Sequence, residues 1–187
     1  MKKTDIQKYA TLAMLSALAY ISLFLIHFPI IPSASFLSCD VKDVMLVIGA
    51  FIFGPLSGFL MALVVSLIQM FTISGQFGAI GLAMNVLSST AFVCPAAIIY
   101  RKKNSTAGAA LGLAIGCVSM TAVMLLWNYI MTPIYMNVPR DTVKDMLIPV
   151  FLPFNLIKSI INAVIAFILY KVVAERLHQY FTKGGKT

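Results

Sequence analysis

AGAALGLAIGCVSMTAVMLLWNYIM, residues 107–131, runs for 25 positions without a charged side chain. A helix needs roughly 20 apolar residues to cross the hydrocarbon core of a bilayer. This stretch therefore reads as a transmembrane helix, and the rest of the chain follows its lead. Apolar segments also occupy about 9–28, 44–53, 56–73, 79–100 and 147–173. All but 44–53 reach spanning length. That segment spans only if its polar start, Asp40, Lys42 and Asp43, belongs to the same helix, or if it is tilted and broken. Gly54-Pro55-Leu-Ser-Gly58 then makes a tight turn into the third segment. The expected architecture is all-α: a polytopic membrane protein with six transmembrane helices in one domain, residues 1–187. Five spans is the alternative.

Composition agrees. The chain has 187 residues, 60% of them hydrophobic and only 11% charged, with a mean hydropathy of +0.95. Soluble domains are about 25% charged, so too few charges are available to coat a water-facing surface. A separate ATPase domain has no room, and no GxxxxGK[ST] pattern occurs. Any transport must draw on an ion gradient or on other subunits. Cys39, Cys94 and Cys117 stand far apart, and His27 and His178 lie near opposite ends. Neither a zinc site nor a disulfide framework is expected. The first apolar run is too long for a signal peptide.

The net charge of +8 is best explained by cytoplasmic loops. With six spans, ten of the fourteen basic residues fall on one side: Lys2, Lys3 and Lys8, then Arg101, Lys102 and Lys103, then Lys171, Arg176, Lys183 and Lys186. The positive-inside rule places that side, and both termini, in the cytoplasm. The other side receives Lys42, Arg140 and Lys144 against Asp40, Asp43, Asp141 and Asp145. Two long outer loops are expected there, about 29–43 and 132–146. Their Phe, Leu, Tyr and Ile residues suit an ordered lid better than a floppy linker.

Lys158 is the most informative residue. It falls at mid-depth in the last segment, where a lysine costs roughly 2.5–3.5 kcal/mol even on insertion scales. Two readings stand: it faces a cavity and binds a ligand, or it has an internal partner such as a carbonyl or a loop carboxylate. Asn155, Lys158 and Asn162 share one helical stripe, with Ser159 beside it. Two carboxamides and an ammonium suit a neutral or weakly anionic heterocycle rather than a metal ion. Asn162, the deepest, can equally glue helices together. Asn85, Ser88 and Ser89 form a small polar face on the fourth segment. Asn128 and Trp127 lie near the outer end of the fifth. Asn128 is read as a ligand contact, whereas Trp127 suits an interfacial anchor better than a stacking platform. Gln69 and Thr72 are ambiguous.

No segment carries an Asp or Glu at mid-membrane, and neither HExxH nor GxSxG occurs. An enzyme is therefore not expected. Gly108, Gly112 and Gly116 form a GxxxGxxxG ridge, read as internal packing. Ala13 and Ala17, one turn apart on the first segment, can serve either packing or another subunit.

Several of these stretches together resemble the substrate-binding S components of energy-coupling factor (ECF) vitamin transporters, and most of all the riboflavin-specific ones. They include Ala13-Met-Leu-Ser-Ala17, Cys39-Asp40-Val-Lys42-Asp43, Gly49-Ala-Phe-Ile-Phe-Gly54-Pro55 and Gly81-Leu-Ala-Met-Asn85. The most specific are Trp127-Asn128-Tyr-Ile-Met-Thr132-Pro133-Ile-Tyr135 and Pro153-Phe-Asn155-Leu-Ile-Lys158. The resemblance covers nearly the whole chain. It implies a six-helix protein that captures riboflavin from outside, under a lid between helices one and two. It also implies that Asn128, Asn155 and Lys158 bond the flavin ring. Ala13 and Ala17 would dock on a transmembrane T component, and two ATPases would supply energy. No cofactor is implied, because riboflavin is the cargo. The rival readings are an S component for another vitamin or for FMN, a stand-alone gradient-driven carrier, and a small structural subunit.

Overall fold

The computed structural model describes residues 3–29, 37–73 and 78–174. They form a helical bundle: α1 Lys3–Leu25, α2 Lys42–Phe53, α3 Pro55–Thr72, α4 Gly78–Lys103, α5 Thr106–Met136, α6 Arg140–Met146 and α7 Leu152–Leu169. A π-helical turn, Leu147–Phe151, joins α6 to α7, and a second, Tyr170–Ala174, follows α7. The run Arg140–Val172 is thus one apolar helix of spanning length. Pro149 sits inside the first π turn. A proline has no N–H to give the preceding turn and crowds it, and the wider π geometry accommodates both.

Five helical runs are long and apolar enough to cross a membrane. The expected six helices are present, but the second is only 12 residues, about 18 Å. Its polar start does belong to it, beginning at Lys42. Nearly every residue from Lys42 to Phe51 is buried, because α1, α3, α4 and α7 pack around α2. A helix enclosed by others needs no lipid-matched length. Gly54 ends α2 at φ +100°, with its N–H on the Ala50 carbonyl (2.8 Å). Pro55 then opens α3 at a position where a missing N–H costs nothing.

Large apolar side chains cover the exterior, and some charges lie inside. Phe24, Leu25, Phe71, Val118, Leu126 and Ile148 are all more than 60% exposed, while Lys42 and Asp43 are each 1% exposed. That inversion is what a lipid solvent requires. The glycine ridge packs internally, as its spacing predicts. A Cβ on Gly112 would lie 2.6 Å from the Ala96 carbonyl oxygen, and one on Gly116 2.6 Å from that of Phe92. Backbone of α5 therefore rides on backbone of α4.

The first helix stops at Leu25, and His27–Pro29 pairs antiparallel with Ser38–Asp40, His27 opposite Asp40. This ribbon brings the chain back into the bundle within the segment read as an ordered lid; the tip of that loop, 30–36, lies outside the described residues. Two expectations need correction. The second outer loop is short. Helix α5 continues through Pro133 to Met136, and α6 starts at Arg140. Only three residues connect them, with Asn137 at φ +53° closing α5. The other correction concerns Asp40, Lys42 and Asp43, which are buried rather than in an outer loop.

Candidate functional site

The site grows from the junction of the ribbon strand Ser38–Asp40 and α2. Asp40, at the end of the ribbon, is 4% exposed. Its Oδ2 receives the Lys158 ammonium from α7 at 2.9 Å. Asn162, one turn further along α7, donates its Nδ2 to the Asp40 carbonyl (2.9 Å) and to the Lys158 carbonyl (3.0 Å). Of the two readings of Lys158, the internal partner is therefore realised, and it is a carboxylate from the lid ribbon. Burial works against the Asp40 charge. The ammonium groups of Lys158 and Lys42 outweigh it and hold the carboxyl below the usual carboxylate range.

Two residues on, Lys42 points the other way. Its Nζ donates to Gln69 Oε1 on α3 (2.7 Å) and to Asn85 Oδ1 on α4 (2.9 Å). Ser89, one turn along α4 from Asn85, donates its hydroxyl to Asp43 Oδ1 (2.5 Å). A single buried network thus ties the ribbon and α2 to α3, α4 and α7. Its formal charges cancel: Asp40 and Asp43 against Lys42 and Lys158. Burying an ion is costly unless it is paired and hydrogen-bonded: Asp40 and Lys158 pair directly, while Lys42 and Asp43 are hydrogen-bonded to neutral side chains. Asp40 and Asp43 are buried in the bundle, at the end of the ribbon and at the start of α2, outside the five long apolar runs. Three charges within four residues, just ahead of an apolar run and in a chain whose Lys158 needs a counter-charge, were the signal available in the sequence.

The network draws in two of the expected ligand contacts and leaves the others outside it. Lys158 belongs to it through Asp40, and Asn85 through Lys42. Asn155 is 2% exposed, one turn before Lys158, with its Nδ2 on the Phe151 carbonyl (2.8 Å). That carbonyl lies in the π turn, so the amide helps tie the turn to α7. Asn128 on α5 repeats the pattern: its Nδ2 bonds the Met124 carbonyl (2.8 Å), and its Oδ1 accepts from Thr132 (3.2 Å). One intrahelical bond leaves each carboxamide a second N–H. Trp127 is half-buried against the main core, with its indole N–H buried. Around Asn155, Leu37 from the end of the lid segment packs with Val143, Phe151 and Phe154. This apolar cluster fastens the lid segment to α6 and α7.

At the other end of α2 the bundle is closed by aromatic rings. Phe51 stacks on Tyr100 at 4.4 Å, and the Tyr170 hydroxyl donates to that of Tyr100 (3.2 Å). Phe51 lies about 13 Å along the helix axis from Lys42. Ala13 and Ala17 lie on the exposed face of α1, while Leu15, Ala19 and Leu23 face the core. The alanines therefore take no part in the interior of this chain. Among the described residues, no group of three or more His, Cys, Asp or Glu side chains could hold a metal ion.

Residues 7–170 match the family described as the ECF transporter, substrate-specific component. The chain is 30% identical over 174 residues to the riboflavin transporter FmnP of Bacillus subtilis (strain 168), covering 88% of this chain and 90% of that one. It is 32% identical over 177 residues to the riboflavin transporter RibU of Staphylococcus aureus (strain TCH60), covering 91% and 92%. A solved structure described as the S component of a bacterial ECF transporter superposes with a TM-score of 0.79 at 32% identity. It covers 92% of this chain and 98% of the other.

Proposed function

This chain belongs to the substrate-specific component family of ECF transporters, a multi-pass helical membrane family, and from that premise we propose that it captures riboflavin outside the cell. It then delivers the vitamin inward together with a transmembrane T component and two ATPases. The observation that carries the choice of ligand is near-full-length similarity to two proteins named as riboflavin transporters. The site's chemistry supports it. Riboflavin's ring system is flat and largely apolar, with a pyrimidine edge of two carbonyls and one N–H. Carboxamides offer both donors and acceptors to such an edge, and Asn128 and Asn155 are buried beside apolar walls. In this reading Asn128, Asn155 and Lys158 meet the ring. Asn85 acts through Lys42, and Trp127 adds an apolar wall.

Both termini lie in the cytoplasm by the positive-inside rule, which puts the Asp40 end of the bundle outside and the Tyr100–Tyr170 end inside. The exposed Ala13–Ala17 ridge is the surface for the T component. Family membership argues against a stand-alone gradient-driven carrier. The deciding experiment is equilibrium dialysis of the detergent-purified protein with riboflavin, without nucleotide. Saturable binding, and a yellow protein that releases flavin on denaturation, are expected. No saturable binding would end the riboflavin reading.

A further inference from the structure

The geometry points to Asp40 as a specificity-determining residue, which cancels the charge of Lys158 so that the site prefers an uncharged flavin to a phosphorylated one. The inference rests on the riboflavin reading above. Four observations carry it. Lys158 is buried, at 7% exposure, and its one ion pair among the described residues is with Asp40 at 2.9 Å. Asp40 is fixed by more than that pair: the Lys42 N–H donates to its Oδ1 (3.4 Å), and Asn162 holds its carbonyl. The remaining buried charges, Lys42 and Asp43, are formally opposite, and both are bonded to neutral side chains of α3 and α4. Finally, Asn155, the neighbour of Lys158 on the same helical face, is a neutral amide. An ammonium alone at this depth would attract any anion. An ammonium closed by a carboxylate still offers N–H donors but presents no net charge.

FMN is riboflavin with a phosphate that carries roughly −1.5 to −2 charges at neutral pH. Unit charges about 12 Å apart at an effective dielectric near 20 alter affinity by a factor on the order of ten. Removing one member of the Asp40–Lys158 pair therefore shifts the ratio of FMN to riboflavin affinity in a direction set by the charge left behind. Asp40→Asn leaves an uncompensated ammonium and is expected to move the ratio toward FMN by roughly tenfold or more. Lys158→Met leaves an uncompensated carboxylate and is expected to move it away from FMN. The double variant leaves neither charge, and the ratio returns to that of the parent. A ratio is read only on protein that binds, so partial misfolding does not imitate the pattern.

The measurement is competitive binding of riboflavin and FMN to the purified full chain and these three variants, in detergent at low salt. Opposite shifts in the two single variants, cancelled in the double, support the proposal. Equal ratios throughout, or shifts of the same sign, overturn it. If one single variant does not purify as a monodisperse protein, the sign of the other decides. If both fail while the double variant folds, the pair serves the fold alone and the proposal is overturned. A parent protein that binds neither flavin instead removes the riboflavin reading itself, and this inference with it.

Discussion

Read from sequence alone, Lys158 either binds a ligand or has an internal partner, and on the first reading its loss should spare the fold. Asp40 changes that expectation. Breaking a buried ion pair strands its partner, at a cost of roughly 3–5 kcal/mol. Lys158→Met is therefore expected to lower the thermal midpoint of the ligand-free protein in detergent sharply. Asp40→Asn combined with Lys158→Met should recover most of the loss, since the stranded charge is gone. A double variant no more stable than Lys158→Met would show that the pair does not hold the structure. Affinity is a separate quantity. In the double variant, the missing Lys158 donor leaves one flavin acceptor unpaired, a loss of about 1–3 kcal/mol, or roughly 5- to 150-fold. Titration of the folded double variant with riboflavin checks it, and parent-like affinity would leave Lys158 a purely structural residue.

At the scale of elements, two helix faces carry small residues for opposite reasons. Gly112 and Gly116 let α5 ride directly on the α4 backbone, where a Cβ would lie 2.6 Å from carbonyl oxygens. Backbone cannot step aside as a side-chain tip can. Gly112→Leu is expected to cost more than the roughly 1–3 kcal/mol typical of core overpacking, read as loss of monodisperse protein or a large fall in thermal midpoint. Ala13 and Ala17 face outward on α1. Ala13→Trp with Ala17→Trp should leave riboflavin binding in detergent within a few-fold of the parent, while co-purification with the T component and ATPases is lost. Loss of binding with assembly intact would assign that ridge to this chain's own core instead. The spacing of small residues was legible in both helices. Which of the two faces inward depended on α2 filling the space beside α1, and no local pattern encodes that.

For the whole molecule, the proposed partnership predicts that proteoliposomes holding this chain alone bind riboflavin but do not accumulate it. Uptake should appear only when the T component and ATPases are present with ATP. Accumulation driven by an imposed ion gradient, without ATPases, would favour the stand-alone carrier. The membrane class and the helical content follow from the sequence because lipid leaves a chain so little choice. Long uncharged runs such as 107–131 must satisfy their backbone internally, and a helix does this residue by residue. The polar stripe of Asn155, Lys158 and Asn162 was equally legible, since it depends only on the period along one helix. The burial of Asp40, Lys42 and Asp43 was not. Charges ahead of a short apolar run read as a water-facing loop when each segment is considered alone. Only when α1, α3, α4 and α7 enclose α2 does that polar start lie inside, where Gln69, Asn85, Ser89 and Lys158 meet it from three helices. Periodicity is a property of one segment, but a counter-charge 118 residues away along the chain is a property of the packed bundle, and only tertiary structure could pair it.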